Sequence, residues 1–248
     1  PREIDLRFAV EELEELLSDS IKLRVRSDVP YGLYFSGGVD STLISTYHDF
    51  EYLFTYIDGD YGEDFKEKFP KILRHLDYPV HSFSPYGLWQ LAEQASKKVK
   101  VVISGEGADE LFGGYIRYVL PQFNYEATKA FPSYKGLFTP IKNVNESGWD
   151  EFNGNLRELL RMGDRMSSAF GLENRCPYLD RRIIEFAFSL PHNFKIKGFE
   201  TKLLLKKVLK KRLPFYEDKE KHGLYCSIPK WLGYKDSFDK KKYWDYQK

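Results

Sequence analysis

The 248-residue chain is poor in several things, and each shortage removes a class of protein. It has two cysteines, Cys176 and Cys226, and no CxxC pair. That argues against a zinc ribbon and a thioredoxin-type dithiol, and it makes a reducing, cytoplasmic location the expectation. Net charge is almost absent: 38 basic side chains against 37 acidic ones leave +1, so bulk electrostatic binding of nucleic acid has no support. No apolar run approaches the roughly 18 residues of a membrane span. The first residues, PREIDLRFAVEELEELL, are charged throughout and lack the apolar core of a signal peptide. Internal repeats, low-complexity tracts and Gly/Ser linkers are missing as well. Nucleic acid and membrane are therefore not expected partners, and small molecules are.

What is present is the composition of a packed globular body, with 42% hydrophobic and 30% charged residues. Aromatics reach 17%, and each can bury a large area, so core packing is the first reading of their abundance. The apolar positions Val10, Leu13, Leu17 and Ile21 predict a helix over 8–25, ended before Asp28-Val29-Pro30. Strands are predicted at Tyr31–Phe35, Leu53–Ile57, Val80–Phe83 and Val99–Ile103. Helices are predicted from Asp40 to about His48, over 63–76 with a break or restart at Pro70, and around Leu88–Ala95. Alternating strand and helix through about residue 115 implies an α/β fold: a doubly wound parallel sheet, followed by a mainly helical part over about 116–248, within a single domain. In the second part, helices are predicted around Leu156–Met166, after Asp180 as N-cap, and from Leu203 to Pro214.

Two glycine-rich turns fall at strand ends, where ligands of such sheets bind. The first is Ser36-Gly37-Gly38-Val39-Asp40-Ser41. Glycines let a backbone approach a ligand closely, and a following helix start offers free N–H groups, which together can cradle phosphate. It is not a Walker A loop, since Gly-Lys-Ser/Thr is absent. On these six residues alone a plain strand-to-helix turn explains the pattern equally well. The second turn, residues 104–115, reads SGEGADELFGGY and sets Glu106, Asp109 and Glu110 among four glycines. Mg²⁺ takes oxygen ligands, typically one or two carboxylates with phosphate and water completing the shell. If the two strands are close, Asp40 and Asp109 could reach one Mg²⁺ on a nucleotide.

These strings resemble those of a known family. SGGVDS is similar to the pyrophosphatase-loop motif SGGxDS of enzymes that split ATP into AMP and pyrophosphate. SGEGADELFGGY resembles the second signature of the synthetase domain of asparagine synthetases. Asp164–Asp180 (DRMSSAFGLENRCPYLD) and Lys202–Leu213 with the following Lys219–Leu224 resemble two further blocks, in the family's order. The resemblance implies amidation of the aspartate side chain by ammonia through β-aspartyl-AMP, with ATP and Mg²⁺ as cofactors. Position by position, it implies Ser36, Gly37, Gly38, Asp40 and Ser41 on pyrophosphate, with Gly105 beside them. It implies Asp40 and Asp109 on Mg²⁺, Glu106 as proton acceptor and Lys221 on the α-phosphate. Adenine is expected near Leu33, Tyr34 and Ile57, and substrate near Glu173, Arg175 and Lys202.

Departures from the family pattern carry weight too. Relatives begin with a glutaminase domain that this sequence does not contain. Free ammonia, a separate glutaminase or a longer parent protein would each account for that. A homo-oligomer is a further expectation. The stretch after Tyr115 to about Asn155 finds no counterpart, Lys219 replaces an arginine, and Leu224 follows the glycine where phenylalanine is usual. Alternatives therefore stay open: a β-lactam-synthetase or lasso-cyclase type of enzyme acting on another carboxylate, or a non-catalytic nucleotide-binding subunit. Glu106 favours amination, because β-lactam synthetases typically carry tyrosine there. The five histidines show no metal-ligand spacing, Cys176 reads as a small buried thiol, and the lysines at 206, 207, 210 and 211 read as a solvated helix face.

Overall fold

A computed structural model describes residues 2–57, 59, 61–78, 83–115, 118 and 144–218. The chain opens with helix α1 (Leu6–Arg24), capped by Asp5, whose carboxylate accepts from the Arg7 N–H. Its buried stripe is Ala9, Leu13, Leu17 and Ile21; the expected Val10 is half-buried beside it. Strand β1 (Tyr31–Tyr34), helix α2 (Val39–Ser45) and strand β2 (Leu53–Phe54) follow. Next come α3 (Gly62–Leu76), α4 (Ser84–Ser96), β3 (Val101–Ile103) and α5 (Ala108–Phe112). After residue 144 lie α6 (Val144–Asn153), α7 (Asn155–Ser168), β4 (Glu173–Arg175), a 3-10 turn (Pro177–Leu179), α8 (Arg181–Ser189), a second 3-10 turn (His192–Phe194) and α9 (Leu203–Arg212).

The four strands form one parallel sheet in the order β2-β1-β3-β4. Leu33 of β1 lies between Leu53 of β2 and Ile103 of β3, and Ile103 pairs in turn with Arg175. The chain leaves β1 toward one edge and returns to its other side at β3. The switch point of the sheet is therefore the crevice between the carboxyl ends of β1 and β3. Both faces are covered, as parallel sheets require. Val101 and Ile103 point into a core with α1, α2, α8 and α9, while Val102 points into a second one with Phe54, Leu91, Ala92 and Leu172.

Three expectations need correction. Pro70 does not interrupt α3, which runs unbroken from Gly62 to Leu76. Proline forfeits one helix bond and crowds the preceding turn, at about 3 kcal/mol. Phe65, Phe69, Ile72 and Leu76, all fully buried on one face, offset that cost. The second half of the chain is not helices and loops alone, because β4 adds a fourth strand there. Glu-Asn-Arg has little strand propensity, and it is extended because the Glu173 N–H donates to the Lys100 carbonyl and the Ser104 N–H donates to the Arg175 carbonyl, at the two ends of β3. Lastly, α6 occupies a stretch for which no element was expected. Of the strand expected at Val80–Phe83, only Phe83 lies within the described residues, next to the start of α4.

Candidate active site

After β1 the chain turns over Gly37, whose φ of 73° is a left-handed conformation open to glycine. Two serines tie this loop to itself. The Ser36 N–H donates to Ser41 Oγ at 3.2 Å, the two hydroxyls share a hydrogen bond of 3.1 Å, and the Gly38 N–H donates to Ser36 Oγ at 3.3 Å. Tyr178 reaches in from beyond β4, and its hydroxyl donates to the Asp40 carbonyl at 3.0 Å. Asp40, in the first turn of α2, is thus held from the backbone side.

The second turn follows β3 and touches the first. A Cβ on Gly105 would lie 3.1 Å from the Asp40 Cβ, so a bare backbone is needed for the two turns to meet this closely. Gly107 has φ 88° and lies against Leu179, 2.3 Å from where a Cβ would stand. The chain then enters α5, which presents Asp109 in its first turn.

Both carboxylates meet on Lys202. Its Nζ lies 2.7 and 2.6 Å from Asp40 Oδ1 and Oδ2 and 2.6 Å from Asp109 Oδ1. Burial alone would lower the lysine's pKa, but Asp40 and Asp109 outweigh it and hold the ammonium above its ordinary range. Lys202 precedes α9 with φ 54°, a conformation that costs a branched or bulky residue about 1 kcal/mol or more. Gly114 closes the other side: a Cβ there would stand 1.8 Å from Asp109 Oδ1 and 2.2 Å from Lys202 Cε. Sequence reading did not single out Gly114; the doubled glycine after α5 was its only sign.

The donor set suits a hard divalent cation bound together with phosphate. Two carboxylates come from two strand ends, and no group of three or more His, Cys, Asp or Glu side chains that could cage a metal occurs among the described residues. The model of the asparagine synthase family matches residues 12–51, 61–157 and 142–236, which include both turns and Lys202. The chain belongs to the asparagine synthase family. Asparagine synthetase [glutamine-hydrolyzing] 1 of Bacillus subtilis is 25% identical to it, over 90% of this chain and 50% of that protein. A putative asparagine synthetase [glutamine-hydrolyzing] of Mycobacterium tuberculosis is 27% identical over 90% of this chain and 49% of its own length. One from Methanocaldococcus jannaschii is 32% identical over 46% of this chain and 28% of its length. The chain thus spans about half the length of the first two relatives.

The other site candidates of this family member are spread more widely. Glu106 is half-buried in the second turn, near enough to Cys176 for its charge to help raise that thiol. Burial is the main cause and pushes the thiol up to about 11, so Cys176 is an inert group hydrogen-bonded to Ser104 at 3.4 Å. Leu33 is wholly buried in the core, so any contact with a base would be through its backbone. Tyr34 is half-buried beside it, its hydroxyl pushed up to about 12 chiefly by burial. Ile57, 69% exposed, lies just past β2.

Glu173 and Arg175, two of the substrate-side candidates, are bonded to each other. Arg175 makes a two-pronged ion pair with Glu173, at 2.8 and 3.1 Å, and donates to the carbonyls of Arg24 and Arg26 at 2.8 and 2.7 Å. These bonds tie β4 to the end of α1. Lys202, the third substrate-side candidate, is the residue that contacts Asp40 and Asp109. Lys221, with Lys219, His222 and Cys226, lies outside the described residues, as does most of the unmatched stretch after Tyr115.

Proposed function

We propose that this chain catalyses the ATP-dependent amidation of the aspartate side-chain carboxylate. The observation that carries the reading is the convergence of Asp40 and Asp109, from the turns after adjacent strands, on one buried cation position. Family membership supplies the reaction class. In this reading the loop Ser36–Ser41, with Gly105 packed beneath Asp40, receives the β- and γ-phosphates. Asp40 and Asp109 would hold Mg²⁺, which neutralises phosphate charge when bound. Adenine would be received near Leu33, Tyr34 and Ile57 at the ends of β1 and β2.

The substrate carboxylate oxygen forms a bond to the α-phosphorus, and the bond to pyrophosphate breaks. Ammonia then bonds to the acyl carbon, AMP leaves with the former carboxylate oxygen, and one proton passes to the Glu106 carboxylate. The family resemblance assigns Lys221 to the α-phosphate. The protein works on small molecules and takes free ammonia as nitrogen source.

The test is direct. Purified protein receives ATP, Mg²⁺ and aspartate with either ammonium or glutamine, and asparagine, AMP and pyrophosphate are quantified by mass spectrometry. Asparagine formed with ammonium but not with glutamine is the expected result. Adenylate formation on another carboxylic acid, with none on aspartate, overturns the substrate assignment. Turnover only after a glutaminase is added overturns the nitrogen source.

A further inference from the structure

Lys202 does more than line the site. The Lys202 ammonium donates to both Asp40 oxygens at 2.7 and 2.6 Å and stands 2.6 Å from Asp109 Oδ1 as an ion pair, so its charge already occupies the carboxylates a divalent cation would need. The stem has no slack either: the side chain is almost wholly buried, and the bare Gly114 leaves just enough room for its Cε. A divalent ion arriving alone would have to displace a buried ammonium paired with both carboxylates or sit against it, and like charges at such range in a low-dielectric site repel strongly. A metal arriving on a polyphosphate brings the negative charge that can accommodate both cations.

We propose that Lys202 is the resident cation of the Asp40–Asp109 site, so that the protein excludes free divalent metal and takes it only as the metal complex of a nucleotide polyphosphate. This rests on the reading that Asp40 and Asp109 hold the metal. It adds an order of binding: no metal before nucleotide.

Equilibrium dialysis with Mn²⁺ as the probe tests it without turnover. Wild-type protein without nucleotide should retain no stoichiometric Mn²⁺. The same protein with a non-hydrolysable ATP analogue should retain one per chain. Lys202→Met, without nucleotide, should bind Mn²⁺ at one site at least about tenfold more tightly than wild type, because two carboxylates are released. Adding Asp109→Asn to that variant should abolish the gain. One-site binding by nucleotide-free wild type, as tight as by Lys202→Met or by wild type with the analogue, overturns the proposal. If circular dichroism shows that Lys202→Met does not fold, the two wild-type arms decide alone: equal retention with and without analogue overturns it, and retention only with analogue supports it. Retention in none of the arms, with the analogue itself bound, defeats the metal reading of Asp40 and Asp109, a failure distinct from free-metal binding.

Discussion

Lys195 and Lys202 stand seven positions apart, both almost fully buried, and their surroundings could hardly differ more. Lys202 is clamped by two carboxylates from two turns. Lys195 has no hydrogen-bond partner among the described residues, and its Nζ lies 5.1 Å from the centre of the Phe188 ring. Burial, with no carboxylate beside it among the described residues, lowers its pKa to about 7. The same depth therefore yields a permanent cation in one place and a group ready to lose its proton in the other. Partners, not depth, decide whether a buried charge persists. The difference also separates roles, since Lys202 sits at the switch point of the sheet and Lys195 behind Gly113.

Substitution can sharpen or break that contrast. Lys202→Met should be the most costly change, at about 3–5 kcal/mol in urea denaturation without ligand, because it strands two partly buried carboxylates. Lys195→Met should act in the opposite direction, stabilising the protein by about 3 kcal/mol at pH 6, because an isolated buried ammonium is removed. Its pH dependence has a definite sign. The native amine gives up its proton near pH 7 and the unfolded one near 10.5, so the unfolded chain binds more protons between those values. Wild-type stability should therefore rise from pH 7 to 10.5, and the advantage of Lys195→Met should shrink with it. A constant gap across that range would mean that Lys195 keeps its proton and that the contrast is wrong.

A third charged cluster extends the comparison to an anion. Asp180 caps α8, accepting from the Arg182 N–H, and pairs with Arg182 and Arg24 at 3.0 Å. The Arg182 side chain first, with the helix N–H and Arg24, outweighs burial and lowers its pKa to about 2. Asp180→Asn should cost roughly 1–2 kcal/mol at pH 7, allowing for solvent screening of the exposed Arg182. The ordinary carboxylate value is 3.8, so this stability is complete above about pH 4 and disappears as pH falls toward 2. Thermal melts of both proteins should converge over that window. The smallest effect is expected for Tyr178→Phe, about 1 kcal/mol, from loss of the bond to the Asp40 carbonyl. If the backbone behind Asp40 matters, this variant should also weaken Mn²⁺–nucleotide retention several-fold; unchanged retention would leave Tyr178 with a packing role alone.

Features carried by residue type were readable in one dimension. The helical stripe of α1, the cap at Asp180 and both glycine turns announce themselves because periodicity, a short polar side chain and a missing Cβ act within a few residues. Asp40 and Asp109 could be singled out as candidate ligands for the same reason. Pro70 shows the limit: a local rule favoured a break, and the apolar face of α3 overrode it. β4 shows it again, because Glu173–Arg175 is a strand through its pairing with β3 and not through its composition.

What the sequence by itself determined was the set of chemical groups and the turns that present them: glycines where the backbone must pass closely, serines and carboxylates at strand ends, and a lysine ahead of α9. Tertiary structure alone decided which of these groups meet. It put β1 beside β3, brought Lys202 between two carboxylates 162 and 93 positions away, and diverted Arg175 to the end of α1. The physical reason is that a close charged contact depends on strand order, on packing clearances such as the one at Gly114 and on exclusion of water, none of which resides in a single segment of the chain.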